Sequence, residues 1–284
     1  MTELQKREFE LLKVVDEICN RLGIKYFLVC GSALGAVKYG GFIPWDDDID
    51  IALFRDDYEI FISRAPSLLK KDLFLQNWHT EKYFLQIYSK LRDSNSTYIE
   101  SSVSLFPINH GAFIDIFPLD EYPENKFRQC ILELRKQYYY QRTSSFFTIN
   151  RSLKGKIIKT LFSFFNNIEK IQKLLHNYEN ALTKYKGKHS DIICNHGNWQ
   201  GKLEYAPRSQ YGEGAWAEFE GLKVRVPEKY DEYLTQKYGD WRADLPNEQQ
   251  IGHHFYEICD LNRPYTDYIE KLPNGKVKII NGNL

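Results

Sequence analysis

Residues 30–55 read CGSALGAVKYGGFIPWDDDIDIALFR. The pair Gly31-Ser32 follows an apolar run at 26–29; then come a segment of helical composition, Pro44-Trp45, and four acids, Asp46, Asp47, Asp48 and Asp50. Apolar residues surround and follow the acids at Ile49, Ile51, Ala52, Leu53 and Phe54. Carboxylates beside such a run are costly to bury unless they are paired or hold a metal. A strand over 48–54 puts residues i and i+2 on one face. Asp48 and Asp50 then project together, about 6–7 Å apart along the strand. That spacing suits one or two Mg2+ ions (or Mn2+), which take oxygen ligands and keep water and phosphate oxygens as the rest. Asp46 shares the parity and lies nearer the Pro-Trp turn. Glycine at 31 lets backbone N–H groups approach an anion, and the helix start after it favours negative charge. A phosphate cradle beside metal carboxylates reads as phosphoryl or nucleotidyl transfer.

Plainer readings compete. A Gly-Ser turn alone is usually only a turn, and an acidic run is usually a solvated loop or helix start. The spacing Asp46-x-Asp48-x-Asp50 also imitates the start of a calcium-binding EF-hand loop. That loop needs Gly at its sixth position and Glu at its twelfth, where this chain has Ile51 and Asp57.

The order Gly-Ser, a short helical segment, then Pro-Trp-Asp-Asp-Asp-Ile-Asp-Ile closely resembles the LicD family, phosphocholine and related phosphotransferases of bacterial surface glycans akin to the fukutin-related proteins. The resemblance implies a nucleotidyltransferase-like fold in which a Gly-Ser and a strand Asp-x-Asp build a metal site. It extends to IDIFPLD at 114–120 and to FEGLKVRVPEKYDEYLTQKYGDW at 219–241.

Composition bounds the rest. The 284 residues suffice for one large domain, or a domain and a smaller lobe. Thirty-eight basic residues balance 38 acidic ones, so nothing global points to nucleic acid. Five scattered cysteines form no CxxC, which argues against a disulfide framework or a Cys-rich zinc site. The N-terminus reads as polar and helical without a signal peptide, and no run approaches the ~20 apolar residues of a membrane span. The expected location is cytoplasmic, with the inner face of the membrane as an option.

Along the chain, an amphipathic helix is expected over 3–22, closed by Gly23, then a strand over 24–29, a helix over 33–39 stopped by Gly40-Gly41, and a helix over 56–70. Residues 84–91 alternate as a strand carrying Lys90, either a phosphate-neutralising cation or a solvated one; 93–107 read as a polar loop. The strand 111–119 holds one carboxylate, Asp115. An ion pair with an Arg is the ordinary fate of such an acid. The sharper expectation, favoured by the resemblance, is a third metal carboxylate beside Asp48 and Asp50 that accepts the proton of an attacking hydroxyl.

Residues 134–168 contain no acid but seven bases: Arg135, Lys136, Arg142, Arg151, Lys154, Lys156 and Lys159, interleaved with aromatics. A helical pair packed on the core competes there with peripheral contact to anionic lipid. A hairpin turning at Gly221 and a helix from Pro227 to Gly239 follow. His253-His254 lies where the family tends to carry His, although adjacent histidines point apart.

The expected architecture is therefore α+β: a nucleotidyltransferase-like mixed sheet with helices, a catalytic core over 1–125 and a mostly helical substrate lobe over 126–284, the two forming one continuous domain in the alternative. Catalytic and metal candidates are Asp48, Asp50 and Asp115; phosphate-binding candidates are Gly31, Ser32 and Lys90; Asp46, Trp45, His253 and His254 join them. The resemblance implies a CDP-alcohol donor such as CDP-choline and a sugar acceptor, free or lipid-linked, with no nucleic acid partner. Two rivals carry different chemistry: a nucleotidyltransferase releasing pyrophosphate from an NTP, and a metal-dependent glycosyltransferase. The latter would place a nucleotide-binding βαβ unit before the acids, and between the first expected strand and the acids only one helix and a Gly-Ser intervene here.

Overall fold

The computed structural model describes residues 1–146, 167–188, 190–198, 201–252, 255–272 and 276–280. Helix α1 (Glu3–Leu22) starts with a capping box, in which the Thr2 side chain accepts from Gln5 N–H and the Gln5 side chain accepts from Thr2 N–H. It ends at Gly23 in the left-handed region. Its inner face is Gln5, Glu8, Leu11, Leu12, Val15, Ile18 and Cys19, the spacing of one helical stripe.

The main sheet has β1 (Phe27–Leu28), β2 (Asp50–Phe54), β3 (Leu73–Gln76), β4 (Ser89–Asp93), β6 (Ala112–Glu121), β7 (Ile192–Asn195) and β8 (Tyr205–Pro207). The order β1-β2-β6-β4-β3 puts β6 at the centre, with β7 pairing the end of β6 and β8 pairing β7. Ten consecutive buried residues make β6 the only place this strand can sit: covered on both faces. Its pairing with β2 is parallel and its pairings with β4 and β7 are antiparallel. One apolar cluster joins α1, α2 (Cys30–Tyr39), β2, α3 (Arg55–Arg64) and the hairpin of β9 (Ala215–Phe219) and β10 (Leu222–Val226). A second joins α4 (Lys126–Ser144) and α5 (Ile168–Thr183) to Trp78, Phe84 and Leu85. Adjacent residues Ile193 and Cys194 of β7 go one to each cluster, so the clusters cover opposite faces of the sheet.

The α+β class expected from sequence is what is found. Several boundaries differ. The two halves share sheets: β7 and β8 extend the main sheet, and β11 (Tyr256–Asp260) pairs β5 (Thr97–Glu100). The expected polar loop at 93–107 contains β5, and the strand expected at 84–91 lies at Ser89–Asp93. The reason is that Lys90, Arg92 and Glu100 are charged yet turned inward as paired groups, which disguises strands as polar sequence. The helix expected over 56–70 ends at Arg64 and tightens into a 3-10 turn that contains Pro66. The hairpin at 216–226 is where it was expected, as is Gly239 at the end of α7 (Tyr230–Tyr238), which follows the short α6 (Arg208–Tyr211).

His110 is fully buried, and burial first, then the Arg92 charge, pushes its imidazole down to about 4. The unfolded chain takes up this proton near pH 6.5, well before the native state does, so stability falls as pH drops through that window. Urea unfolding at pH 7 and pH 4.5 should show a loss of roughly 2–3 kcal/mol from this group. His110→Gln should flatten the slope by that amount; an unchanged slope would assign the acid sensitivity elsewhere.

Candidate active site

Three strands bring the functional side chains into one row. Asp50 of β2 is the register partner of Asp115 of β6, and Asp115 is the partner of Lys90 of β4. Residues opposite one another across a sheet point to the same face, so two carboxylates and an ammonium stand side by side. Lys90 Nζ is 3.1 Å from Asp115 Oδ1 and 3.2 Å from Glu100 Oε1, and lies 3.3 Å from the Phe113 ring centre. Two carboxylates and a ring face offset the cost of burying that ammonium. Glu100 is held in turn by Arg92 Nη2 at 2.8 Å. Arg92 spends its other donors on Gln76 Oε1 and the Gly111 carbonyl.

The acidic loop before β2 is pinned from below. Gln5 Nε2 donates to the Asp46 carbonyl at 2.9 Å, and Asp46 N–H to the Ile43 carbonyl at 2.9 Å. The Gly40-Gly41 turn that feeds it is clamped by the hairpin tip, where Phe42 N–H donates to Glu220 Oε1 at 3.1 Å. A Cβ on Gly41 would sit 2.1 Å from that carboxylate oxygen. The result places one carboxylate oxygen of each of Asp46, Asp47 and Asp48 within 4.8 Å of one another. Asp50 and Asp115 lie outside that cluster and share the lining of one cavity with Asp48, and both groups offer only anionic oxygens. Such donors fit a hard divalent cation such as Mg2+ and disfavour a soft one.

β2 begins at Asp50, so Asp48 precedes the strand instead of starting it, although the Ile49 carbonyl still accepts from Asp115 N–H. Asp48 and Asp50 nonetheless line both of the cavities that meet here. The first, about 420 Å3, has Lys90, Asp115, Tyr88, Phe117 and Tyr140 in its wall. The second, about 280 Å3, has Gly31, Asp46 and the aromatic rings of Tyr39, Trp45, Tyr238 and Trp241. Asn198 borders both.

Ser32 stands differently from the expectation. The helix begins at Cys30, so Gly31 and Ser32 are its first turn and not a preceding loop. Ser32 is buried, and its Oγ accepts from Asp50 N–H at 2.8 Å, which ties the helix start to the strand of acids. That bond fixes the backbone at Asp50. Gly31 faces the loop: a Cβ there would lie 2.6 Å from Asp46 Oδ2. Ser32→Ala should cost about 1 kcal/mol of stability from the lost bond and lower turnover through Asp50. Unchanged turnover with a lower unfolding midpoint would make that bond purely structural. His253 and His254 lie outside the described residues, as do Arg151, Lys154, Lys156 and Lys159.

Glu8 was not among the expected residues. It is buried, and burial first, then the charges of Asp48, Asp47, Asp46 and Asp115, push its carboxyl well above the usual range. The signal was available, since position 8 continues the stripe of 5, 12, 15 and 19. A carboxylate on the buried face of an amphipathic helix marks a site or a partner.

A family model described as LicD/FKTN/FKRP, nucleotidyltransferase domain, matches residues 23–160. The chain is also 30% identical to the lipopolysaccharide cholinephosphotransferase LicD of Haemophilus influenzae, over 92% of this chain and 100% of that protein. The chain belongs to the LicD family. The resemblance read from PWDDDID is thereby borne out. More distant LicD-family relatives include human ribitol-5-phosphate transferase FKTN, 22% identical over 87% of this chain and 38% of that protein. Human ribitol 5-phosphate transferase FKRP is 38% identical over a shorter segment, 17% of this chain and 10% of that protein. No helix among the described residues is long and apolar enough to cross a membrane.

Proposed function

We propose that this chain transfers a phospho-alcohol group, of the phosphocholine type, from a CDP-alcohol to a hydroxyl of a cell-surface glycan sugar or its lipid-linked precursor. The observation that carries this reading is the row Asp50–Asp115–Lys90 beside the Asp46–Asp48 loop, at the junction of two cavities. Mg2+ held by Asp48, Asp50 and Asp115 would neutralise charge on the phosphoryl oxygens. The acceptor oxygen attacks the distal phosphorus in line, the bond from that phosphorus to the bridging oxygen breaks, and CMP leaves. Asp115 takes the hydroxyl proton, and Lys90 beside it offers a fixed positive charge to a phosphoryl oxygen. Gly31, at the start of α2, would offer its backbone N–H to an anionic oxygen.

The head group is read from the second cavity. Its walls are aromatic and its charged groups are mostly acids, Asp46, Asp48, Asp50 and Asp240. Lys38, the lysine among its described lining residues, is engaged by the Ala243 carbonyl at 2.8 Å and Asp244 at 3.0 Å. Rings with neighbouring carboxylates suit a quaternary ammonium better than a polyol, which wants hydrogen-bonding partners. The Haemophilus relative is named for choline and the human ones for ribitol.

The test is to supply CDP-choline, CDP-ethanolamine, CDP-glycerol and CDP-ribitol with Mg2+ and a glycan acceptor preparation, and to measure CMP. CMP release that EDTA abolishes, fastest with CDP-choline, is the expected result. Pyrophosphate from an NTP without CMP from any CDP-alcohol would replace this reading with nucleotidyl transfer. In a parallel titration, Tyr238→Leu and Trp45→Leu should weaken CDP-choline binding about tenfold or more while sparing CDP. Equal losses for both ligands would make the cavity a nucleotide site.

A further inference from the structure

Helix α4 has two faces with different chemistry. Its inner side holds Leu132 and Tyr139 in the second core cluster, and Tyr140 and Ser144 border the first catalytic cavity. Its outer side carries Phe127, Ile131, Leu134 and Tyr138, which are 74%, 38%, 65% and 49% exposed. Their spacing, i, i+4, i+7 and i+11, forms one narrow stripe along the helix. Single exposed apolar side chains are ordinary; four in register on one helix are not.

Charge defines what can cover that stripe. Arg128, Arg135 and Arg142 run along one flank, at i+1, i+8 and i+15 from Phe127. The one acid within α4, Glu133, is turned inward, where it accepts from the hydroxyls of Tyr122 and Tyr205. Beside the stripe a groove of about 260 Å3 is lined by Phe127, Arg128, Ile131, Arg135, Lys184 and Tyr185. Apolar side chains to enter an acyl layer, with cations level with the headgroups, are the makeup of an interfacial helix. Lys136, one of the bases counted in the sequence, takes no part: it is buried, with Nζ over the Tyr205 ring at 5.7 Å.

We propose that the outer face of α4 is a docking surface for an anionic lipid bilayer, with Phe127, Ile131, Leu134 and Tyr138 entering the interface and Arg128, Arg135 and Lys184 meeting lipid phosphates. Because the same helix walls the catalytic cavity on its inner side, docking brings that cavity close to the bilayer, where a lipid-linked acceptor would present its sugar. The surface is independent of which donor the enzyme uses, and its test reads no catalysis.

Full-length protein is sedimented with vesicles of pure phosphatidylcholine and with vesicles rich in phosphatidylglycerol, at low salt and at high salt. The expected result is pelleting with the anionic vesicles only, weakened by salt. Phe127→Ser with Leu134→Glu, and separately Arg128→Glu with Arg135→Glu, should each lower the partition constant about tenfold or more. All four residues are exposed, so far-UV circular dichroism and the melting temperature should match the parent. Recovery of the parent in the supernatant with every vesicle would overturn the proposal, as would pelleting that both variants retain. So would a dimer seen by light scattering that Leu134→Glu dissociates while no vesicle binds: the stripe would then be an interface between two copies.

Discussion

Asp50→Asn and Asp115→Asn are each expected to lower CMP release roughly a thousandfold or more while the protein stays folded. The two carboxylates are direct register partners across a parallel strand pair, on the face that lines the first cavity. Carboxylates packed with Asp46, Asp47, Asp48 and the buried Glu8 repel one another, and removing one charge relieves the cluster. The metal-free variants should therefore melt no lower than the parent. At Asp115 the substitution leaves Lys90 near Glu100 Oε1, at 3.2 Å, so the ammonium keeps a counter-charge. Asp115→Asn should reduce turnover more than donor affinity, because its proposed second task is to receive the acceptor proton. Asp48→Asn should behave like Asp50→Asn. CMP release, donor titration and a melting curve on the same preparations decide the matter. Near-normal turnover in any one variant would remove that carboxylate from the chemistry, and a loss confined to donor affinity would leave Asp115 a binding group.

The meeting of these acids on the sheet was legible because carboxylates sit badly in an apolar strand. Four acids against Ile49, Ile51 and Leu53, and one acid alone inside AFIDIFPL, each demand a reason, and the two demands meet at one row of the sheet. Lys90 was half legible. Its position in an alternating segment gave it a strand, but only pairing with β6 shows that it faces Asp115. The bond from Asp50 N–H to the Ser32 hydroxyl was not legible, since a contact across 18 residues leaves no local pattern. The strands β3 and β5 were illegible for a related reason. Beside them the buried Gln76 and Arg92 and the half-buried Glu81 form a hydrogen-bonded network, and a network removes the hydrophobic alternation on which strand reading depends. Glu8 could have been found by extending the α1 stripe toward the N-terminus without requiring apolar residues.

The ordinary fate of an acid in an apolar strand is an ion pair with an Arg, and β6 shows it at Asp120, five residues beyond Asp115. Arg55 Nε donates to Asp120 Oδ1 at 2.6 Å and Nη2 to Oδ2 at 2.8 Å, and both side chains are buried. Arg55 is the first residue of α3, directly after β2; Asp120 is near the end of β6. The fork therefore joins the two strands that carry Asp50 and Asp115, close to the end of their shared ladder. Arg55 also lies over the Tyr58 ring, and the Tyr58 hydroxyl is 2.7 Å from Ser89 Oγ, next to Lys90 on β4. Asp120→Ala leaves a buried guanidinium without its carboxylate and should cost roughly 3–5 kcal/mol. Set against a total stability of about 5–15 kcal/mol, that brings the domain near unfolding at room temperature. Arg55→Leu combined with Asp120→Leu removes both charges and should recover much of the loss, because no charge is then stranded. Urea midpoints of the parent, the single variant and the double variant provide the measurement. A single-variant loss under about 1 kcal/mol would mean that water reaches Arg55 and screens it as on a surface. If the double variant regains stability but turns over slowly, the pair's contribution lies in holding the register of β2 on β6, and with it the spacing of Asp50 and Asp115.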